Sequence, residues 1–467
     1  MRIICLAIAM CLASGSCAFP LAQEPPLEVA FYLLRIEYTT TSDWTSLELH
    51  NPEDVLTVRM MDTTVDDVPP HVGINSIAFG QSPESALAGE SVAVTVDFAV
   101  DASGIHRPLE FTTQKGGLND SIIRFILIIG NRPQLIREIV HEGTLGTPGL
   151  NPLDFQVDLR PFADEPPTAI QIQQSHVPKM ILAFYFPWYG MRSWSSSELA
   201  DWPLVPYASN DPDTMRRHIE QAKGAAIDGF IFHWLGPGSD SDENLARILD
   251  IAQEMDFRVA VFFIAWNGDR WLEEEVMEEW LSYLIETYGN HAAYMRANSK
   301  PLIVCYNTAA LPLLTWESIF EDLRAQGLDS TNIAMGSGME SLSVFDGLYD
   351  PSIFDLDGLH QRVTVLGRAV HYHPVLDNAA EAKFWAATVR PGYDDRRIVG
   401  SQGTFVDRGD GDFYRGTFDA ALVSNPDWIF ISSWNKWGEH TYIEPSLAFG
   451  DLYLLLTREF AQEWKDQ

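Results

Sequence analysis

Ile181-Leu182-Ala183-Phe184-Tyr185-Phe186 is an unbroken apolar run that stops at Pro187-Trp188-Tyr189-Gly190. It is too short for a buried helix, and with no polar alternation it reads as a strand covered on both faces, as in a parallel sheet. The pattern then repeats. Asp211-Pro212 offers an N-cap and a first-turn proline to a helix with Met215, Ile219 and Ala222 on one face. A second strand at 227–234 leads to a helix carrying Leu245, Ile248, Leu249, Ala252 and Met255, and a third at 258–266 to one carrying Val276, Leu281, Leu284 and Tyr288. Strand four is expected at 301–307, with Thr315 capping a helix that stops before Gly327. Strands five and six are expected at 332–337 and 353–359, a helix at 379–387, strand seven at 388–390, a helix at 413–423 and strand eight from Trp428. A last helix covers 452–464. Eight such units over 179–467 predict a (β/α)8 TIM barrel.

The first third of the chain has another rhythm. Val92, Val94, Val96, Phe98 and Val100 alternate with smaller or polar residues, and short alternations recur at 29–38, 47–49, 56–60, 109–111 and 155–159. Many short strands between turns predict an all-β sandwich of immunoglobulin type over 27–161. It is open to two readings, a carbohydrate-binding module or a packing domain. Residues 162–178, with Asp164-Glu165-Pro166-Pro167, read as a linker. Residues 1–18 have the basic start, apolar core and small-residue end of a signal peptide, which predicts a secreted or periplasmic protein cleaved after Ala18. Lipid attachment at Cys17 is the alternative. The apolar run of this leader is too short for a membrane span. A net charge of −34 argues against nucleic acid or an anionic membrane as partner, and 46% hydrophobic residues with 14 Trp exclude disorder. Cys305, inside Leu302-Ile303-Val304-Cys305-Tyr306, reads as a small core hydrophobe.

A barrel of this kind builds its active site from the C-terminal ends of its strands. Those ends carry Tyr185, Trp188 and Tyr189 (strand one), His233 and Trp234 (two), Trp266 and Asn267 (three), Tyr306 and Asn307 (four), and His360 (six). Strand seven leads to Tyr393, Asp394 and Asp395, and strand eight to Trp434, Asn435, Lys436, Trp437, Glu439, His440 and Tyr442. Rings that stack on sugar faces, beside groups that bond hydroxyls, suit a carbohydrate cleft. Each Trp has a structural alternative as a core cap. His371 and His373 are spaced to share a strand face, but no companion carboxylate or Cys pattern points to a metal, and no cofactor is expected. Glu439, among Trp434, Trp437 and Tyr442, is the candidate general acid, since apolar surroundings favour a protonated carboxyl. Glu444 is read as structural, and Asp394 and Asp395 as either a second catalytic carboxylate or ion-pair partners of Arg396 and Arg397.

Several stretches together resemble glycoside hydrolase family 99: Phe184-Tyr185-Phe186-Pro187-Trp188-Tyr189-Gly190, Ile227-Asp228-Gly229-Phe230, Tyr288-Gly289-Asn290-His291, Arg390-Pro391-Gly392-Tyr393-Asp394-Asp395 and Trp434-Asn435-Lys436-Trp437-Gly438-Glu439 through Pro445. The resemblance implies a metal-free, retaining, endo-α-mannosidase-like enzyme acting on an oligosaccharide or polysaccharide. Two glutamates on the loop after strand eight would do the chemistry. The later one, acid and base at the glycosidic oxygen, matches Glu439; the earlier one, base toward the sugar's 2-hydroxyl, falls on Lys436. A lysine is cationic at neutral pH and takes a proton only where burial strips its charge. Three readings follow: a hydrolase working through Glu439 and a different partner, a divergent enzyme pairing Lys436 with an acidic sugar, or a barrel that binds glycans without turning them over.

Overall fold

The structure is a computed structural model that describes residues 26–466, apart from 42–43, 66–69, 81–90, 117–118, 144–150, 267–269 and 378–380. The expected leader, the start of the helix expected at 379–387, and Asn267 lie outside the described residues.

Two antiparallel sheets form the N-terminal region. One runs in the order Val55–Thr63, Val92–Asp101, Leu27–Thr40, Ser121–Ile129 and Arg132–His141; the other in the order Leu153–Val157, Leu109–Lys115, Thr45–Leu49, Ser76–Phe79 and His71–Val72. Alternation along Leu27–Thr40 turns Leu34, Ile36 and Tyr38 inward. The sheets meet through Phe111 against Phe125 and Tyr38 against Phe79, with ring centroids 5.2 Å apart in both pairs. Part of the expected linker belongs here, because Thr168–Ile172 pairs antiparallel with the first strand, Leu27 opposite Ile172. The two prolines before it masked a short strand.

The second region is a closed barrel of eight parallel strands. In order they are Met180–Tyr185, Gly229–Trp234, Arg258–Phe263, Lys300–Cys305, Thr331–Met335, Gly347–Tyr349, Phe384–Val389 and Trp428–Ile431. Each pairs with the next, and the eighth closes on the first through Met180 opposite Trp428. Leu182, Phe184, Ile231, Phe262, Val304, Tyr349 and Phe430 fill the interior, while Ile181, Ala183, Tyr185, Phe230 and Phe232 face the surrounding helices. Asp211 caps the first helix, Pro212–Gly224, and accepts the Asp213 N–H.

Strands six and seven lie elsewhere than expected. Strand six is Gly347–Tyr349, and the helix after it is Leu359–Tyr372, which takes up His360 and His371 with His373 as its C-cap. The His371-Tyr372-His373 alternation is therefore helical. Strand seven is Phe384–Val389, every residue buried, where helix-favouring alanines had suggested a helix. Thr315 sits inside its helix, which starts at Leu313 after Pro312. The sandwich docks on this side of the barrel. Arg368 donates to the carbonyls of Pro52, Glu53 and Val55 at 2.9, 2.7 and 2.7 Å, and Glu340 accepts the Val72 N–H at 3.0 Å. Val29, Phe31, Leu56 and Ile172 pack there against Val375. Among the described residues, no helix is long and apolar enough to cross a membrane.

Candidate active site

Side chains alternate along a strand, so half of the aromatics at the strand ends turn away from the barrel mouth. Tyr185 is fully buried on the helix side, its hydroxyl 3.1 Å from His218 Nδ1. Trp234 donates its indole N–H to Asp242 at 2.9 Å, and Trp434 packs on Phe230 with centroids 5.3 Å apart. These three offer no face to a sugar, contrary to the expectation for them. His360 is exposed on the first turn of its helix, away from any strand end. Trp266 packs edge-on against Trp271 at 5.3 Å, and Asn307 supplies a left-handed turn, φ 45°, after strand four.

The loop after strand eight is built on buried polar contacts. Asn435 clamps the end of strand one: its Oδ1 accepts the Phe186 N–H at 2.7 Å and its Nδ2 donates to the Phe186 carbonyl at 3.0 Å. Glu444 is buried and accepts from the Tyr207 hydroxyl at 2.9 Å and Trp437 Nε1 at 3.1 Å, with His218 Nε2 3.0 Å from its other oxygen. Trp437 stacks on Tyr442 with centroids 3.8 Å apart, and the Tyr442 hydroxyl donates to Asp201 at 2.6 Å. Arg408 lies over the Tyr442 ring and donates to the carbonyls of His440 and Tyr442 at 2.7 and 2.9 Å. Asn435, Trp437 and Tyr442 are thus scaffolding for the loop and not sugar contacts. His440 has φ 57° and its Nε2 lies 3.1 Å from the Tyr442 hydroxyl; burial first, then Arg408, lowers its pKa to about 4.

This scaffolding presents Lys436 and Glu439 to solvent, 31% and 26% exposed, with Lys436 Nζ 2.6 Å from Glu439 Oε1. The Lys436 ammonium also sits 5.2 Å from the centre of the Phe186 ring. A cleft of about 410 Å³ opens beside the pair, lined by Trp188, Tyr189, Ser193, Glu198 and Ile398. Trp188, 48% exposed, divides it from a second cleft of about 510 Å³ that reaches His233, Asn244 and Arg247. The Tyr189 hydroxyl accepts the Trp437 N–H at 3.0 Å, which ties this wall to the loop. Ser193, Glu198, Ile398, Asn244 and Arg247 escaped the sequence reading because they lie in loops or on a helix, with no motif to mark them.

Charge converges on Glu439 from three other elements. Burial, then the field of Glu439, raises the pKa of Tyr306, and the same causes together with Asp395 raise that of Tyr393. Arg390, at the end of strand seven, is nearly buried, and Glu439 is the leading charge that opposes its desolvation. Its guanidinium lies 5.2 Å from both the Phe354 and the Tyr393 rings and donates to the Pro351 carbonyl at 2.8 Å. His233 has its pKa lowered to about 3, by burial first and then by Lys436, so it stays neutral near pH 7. Both oxygens of Asp394 are held by Arg396 at 2.8 Å, which removes it from a nucleophile's role. Asp395 is buried, accepts the Tyr393 hydroxyl at 3.2 Å, and keeps Oδ1 without a hydrogen-bond partner among the described residues.

The family model for glycosyl hydrolase family 99 matches residues 201–451, more than half of the chain. This chain belongs to glycosyl hydrolase family 99. Among curated relatives of this family 99 chain, the glycoprotein endo-alpha-1,2-mannosidase-like protein of Homo sapiens is 26% identical over 363 residues, covering 63% of this chain and 77% of that protein. The glycoprotein endo-alpha-1,2-mannosidase of Rattus norvegicus is 25% identical over 378 residues, covering 65% and 79%. Among solved structures, the GH99 endo-alpha-mannosidase from Bacteroides thetaiotaomicron in complex with bis-tris-propane superposes with a TM-score of 0.55 at 25% identity, covering 62% of this chain and 98% of that one. The barrel is a glycoside hydrolase of this family. Its match in the Bacteroides thetaiotaomicron structure fits the length of the (β/α)8 region alone.

Proposed function

We propose that this chain is a secreted glycoside hydrolase that cleaves glycosidic bonds within an oligosaccharide or polysaccharide, with Glu439 as general acid and then general base. The observation that carries the reading is the position of Glu439, a partly exposed carboxyl just past strand eight, at the floor of a cleft walled by Trp188 and Tyr189. Trp188 is the sugar-stacking platform, and Tyr189, His233, Tyr306 and Tyr393 supply hydrogen bonds to hydroxyls. As the bond between the anomeric carbon and the glycosidic oxygen breaks, Glu439 gives that oxygen its proton; the carboxylate so formed then takes a proton from the water whose oxygen bonds to the anomeric carbon, which restores the acid and leaves a hydroxyl on each fragment. Lys436 orients the Glu439 carboxyl between turnovers. The relatives are named for α-1,2-mannoside cleavage, so α-mannan oligosaccharides head the substrate panel.

The test is Glu439→Gln against the parent, following release of reducing ends from that panel and binding of the same glycans. The variant is expected to lose turnover by about 1000-fold or more while keeping its affinity. A variant that cleaves at the parent's rate overturns the assignment. A parent that binds glycans yet releases no new ends replaces the reading with that of a glycan-binding barrel.

A further inference from the structure

Before Glu439 can reach a glycosidic oxygen, it must leave the ammonium that now holds its Oε1 at 2.6 Å. Among the described residues, Lys436 has little else to hold it. Besides Glu439, its ammonium is met by the Phe186 ring at 5.2 Å, and the imidazole of His233 nearby is neutral. The charges on the cleft floor sharpen the point. Lys436 and Arg390 are cations; Glu439 contacts the first and, with Asp350, opposes the desolvation of the second, while Glu198 lines the same cleft. Once Glu439 carries the proton it is to donate, Lys436 loses the one carboxylate within salt-bridge distance of it among the described residues. Arg390 cannot swing away, since carbonyls of Pro351 and Ile353 pin its guanidinium. A negative group arriving in the cleft would give Lys436 a new partner.

We propose that the substrate carries an anionic group, a carboxylate or a sulfate ester, beside the bond to be cut, and that this group draws the Lys436 ammonium off Glu439. The proposal rests on the reading of Glu439 as acid and base, and names the substrate class of that same site. The anion is an isolated one on an otherwise neutral glycan. A chain with a net charge of −34 repels a uniformly charged polymer, whereas a single substituent within about 8 Å, one screening length, feels chiefly Lys436 and Arg390.

The experiment is a glycan array read with the Glu439→Gln form of the full chain, which keeps bound substrate intact, alongside the same form carrying Lys436→Met or Lys436→Arg. The array pairs neutral α-mannan oligosaccharides and other neutral glycans with counterparts bearing one uronate or one sulfate, and the two anionic arms tell carboxylate from sulfate. Expected is a preference of about tenfold for a singly charged glycan over its neutral counterpart, lost in Lys436→Met and kept in Lys436→Arg. Lys436 is partly exposed, so neither change threatens the fold. Equal or better binding of neutral glycans, an anionic preference that survives Lys436→Met, or no binding to any charged glycan overturns the proposal. If neutral glycans win while Glu439→Gln still abolishes their cleavage, this inference fails alone; if Glu439→Gln cleaves at the parent's rate, the underlying assignment has failed.

Discussion

Glu439 and Glu444 lie on one loop, five positions apart, and they should respond to removal in opposite ways. Glu444→Ala strips a buried acceptor from the Tyr207 hydroxyl and Trp437 Nε1, and the carboxyl oxygen that lies 3.0 Å from His218 Nε2. Three buried polar groups left without that partner, at about 1–2 kcal/mol each, predict a loss of roughly 3–6 kcal/mol. For a barrel of this size that is a fall of about 6–12 °C in melting temperature. Glu439→Ala removes one side of a partly exposed ion pair, worth less than about 1 kcal/mol, and should leave the melting temperature within about 2 °C of the parent. Thermal unfolding of the two variants and the parent, followed by near-ultraviolet circular dichroism, makes the comparison. Equal melting temperatures for Glu444→Ala and the parent would refute the scaffolding role. A Glu439→Ala that melts as low as Glu444→Ala would refute the claim that Glu439 is free of the fold.

Two further outcomes follow from other contacts. Arg368→Ala deletes the donors to three carbonyls of residues 52–55 and should loosen the docking of the sandwich by about 2–3 kcal/mol, read as faster amide exchange in 52–58 with the barrel strands unchanged; unaltered exchange there would contradict the contact's importance. His440 has a pKa of about 4 in the fold against 6.5 unfolded, so the unfolded chain binds the extra proton and stability present above pH 6.5 is lost as pH falls toward 4. His440→Asn, with a side chain that accepts φ near 57°, should flatten this acid loss by about 2 kcal/mol in urea titrations at pH 7 and pH 4.5.

The parallel barrel was legible because runs such as 181–186 and 227–234 have no polar alternation, and the helices between them keep their apolar stripes. The same feature hid which way the strand-end aromatics point. When both faces are apolar, composition does not separate the barrel interior from the helix layer, so Tyr185, Trp234 and Trp434 looked like cleft residues and proved to be core. Strand six was missed because it is three residues long, and strand seven because alanines ahead of Phe384 favour a helix that tertiary burial overrides. Within the site, Glu439 and Lys436 were found through a motif. Ser193 lines the first cleft and Asn244 and Arg247, from the helix Asp240–Glu254, line the second, and only three-dimensional closure of the barrel reveals them.

The separation of scaffold from chemistry has a cause in the backbone of the loop itself. Ser433 N–H donates to the Thr441 carbonyl at 2.8 Å and Ile443 N–H to the Ser433 carbonyl at 3.0 Å, so the chain leaves strand eight, makes an excursion and is tied shut at its neck. Inside that excursion Asn435 and Trp437 point into the protein, while Lys436 and Glu439 meet at the surface of the cleft. The neck, Asn435 and Glu444 would hold the loop in place whatever stands at position 436. An exchange there alters which charges face the substrate without disturbing a buried contact. Position 436 is therefore where this fold can change its substrate, or its way of handling protons, at little cost in stability.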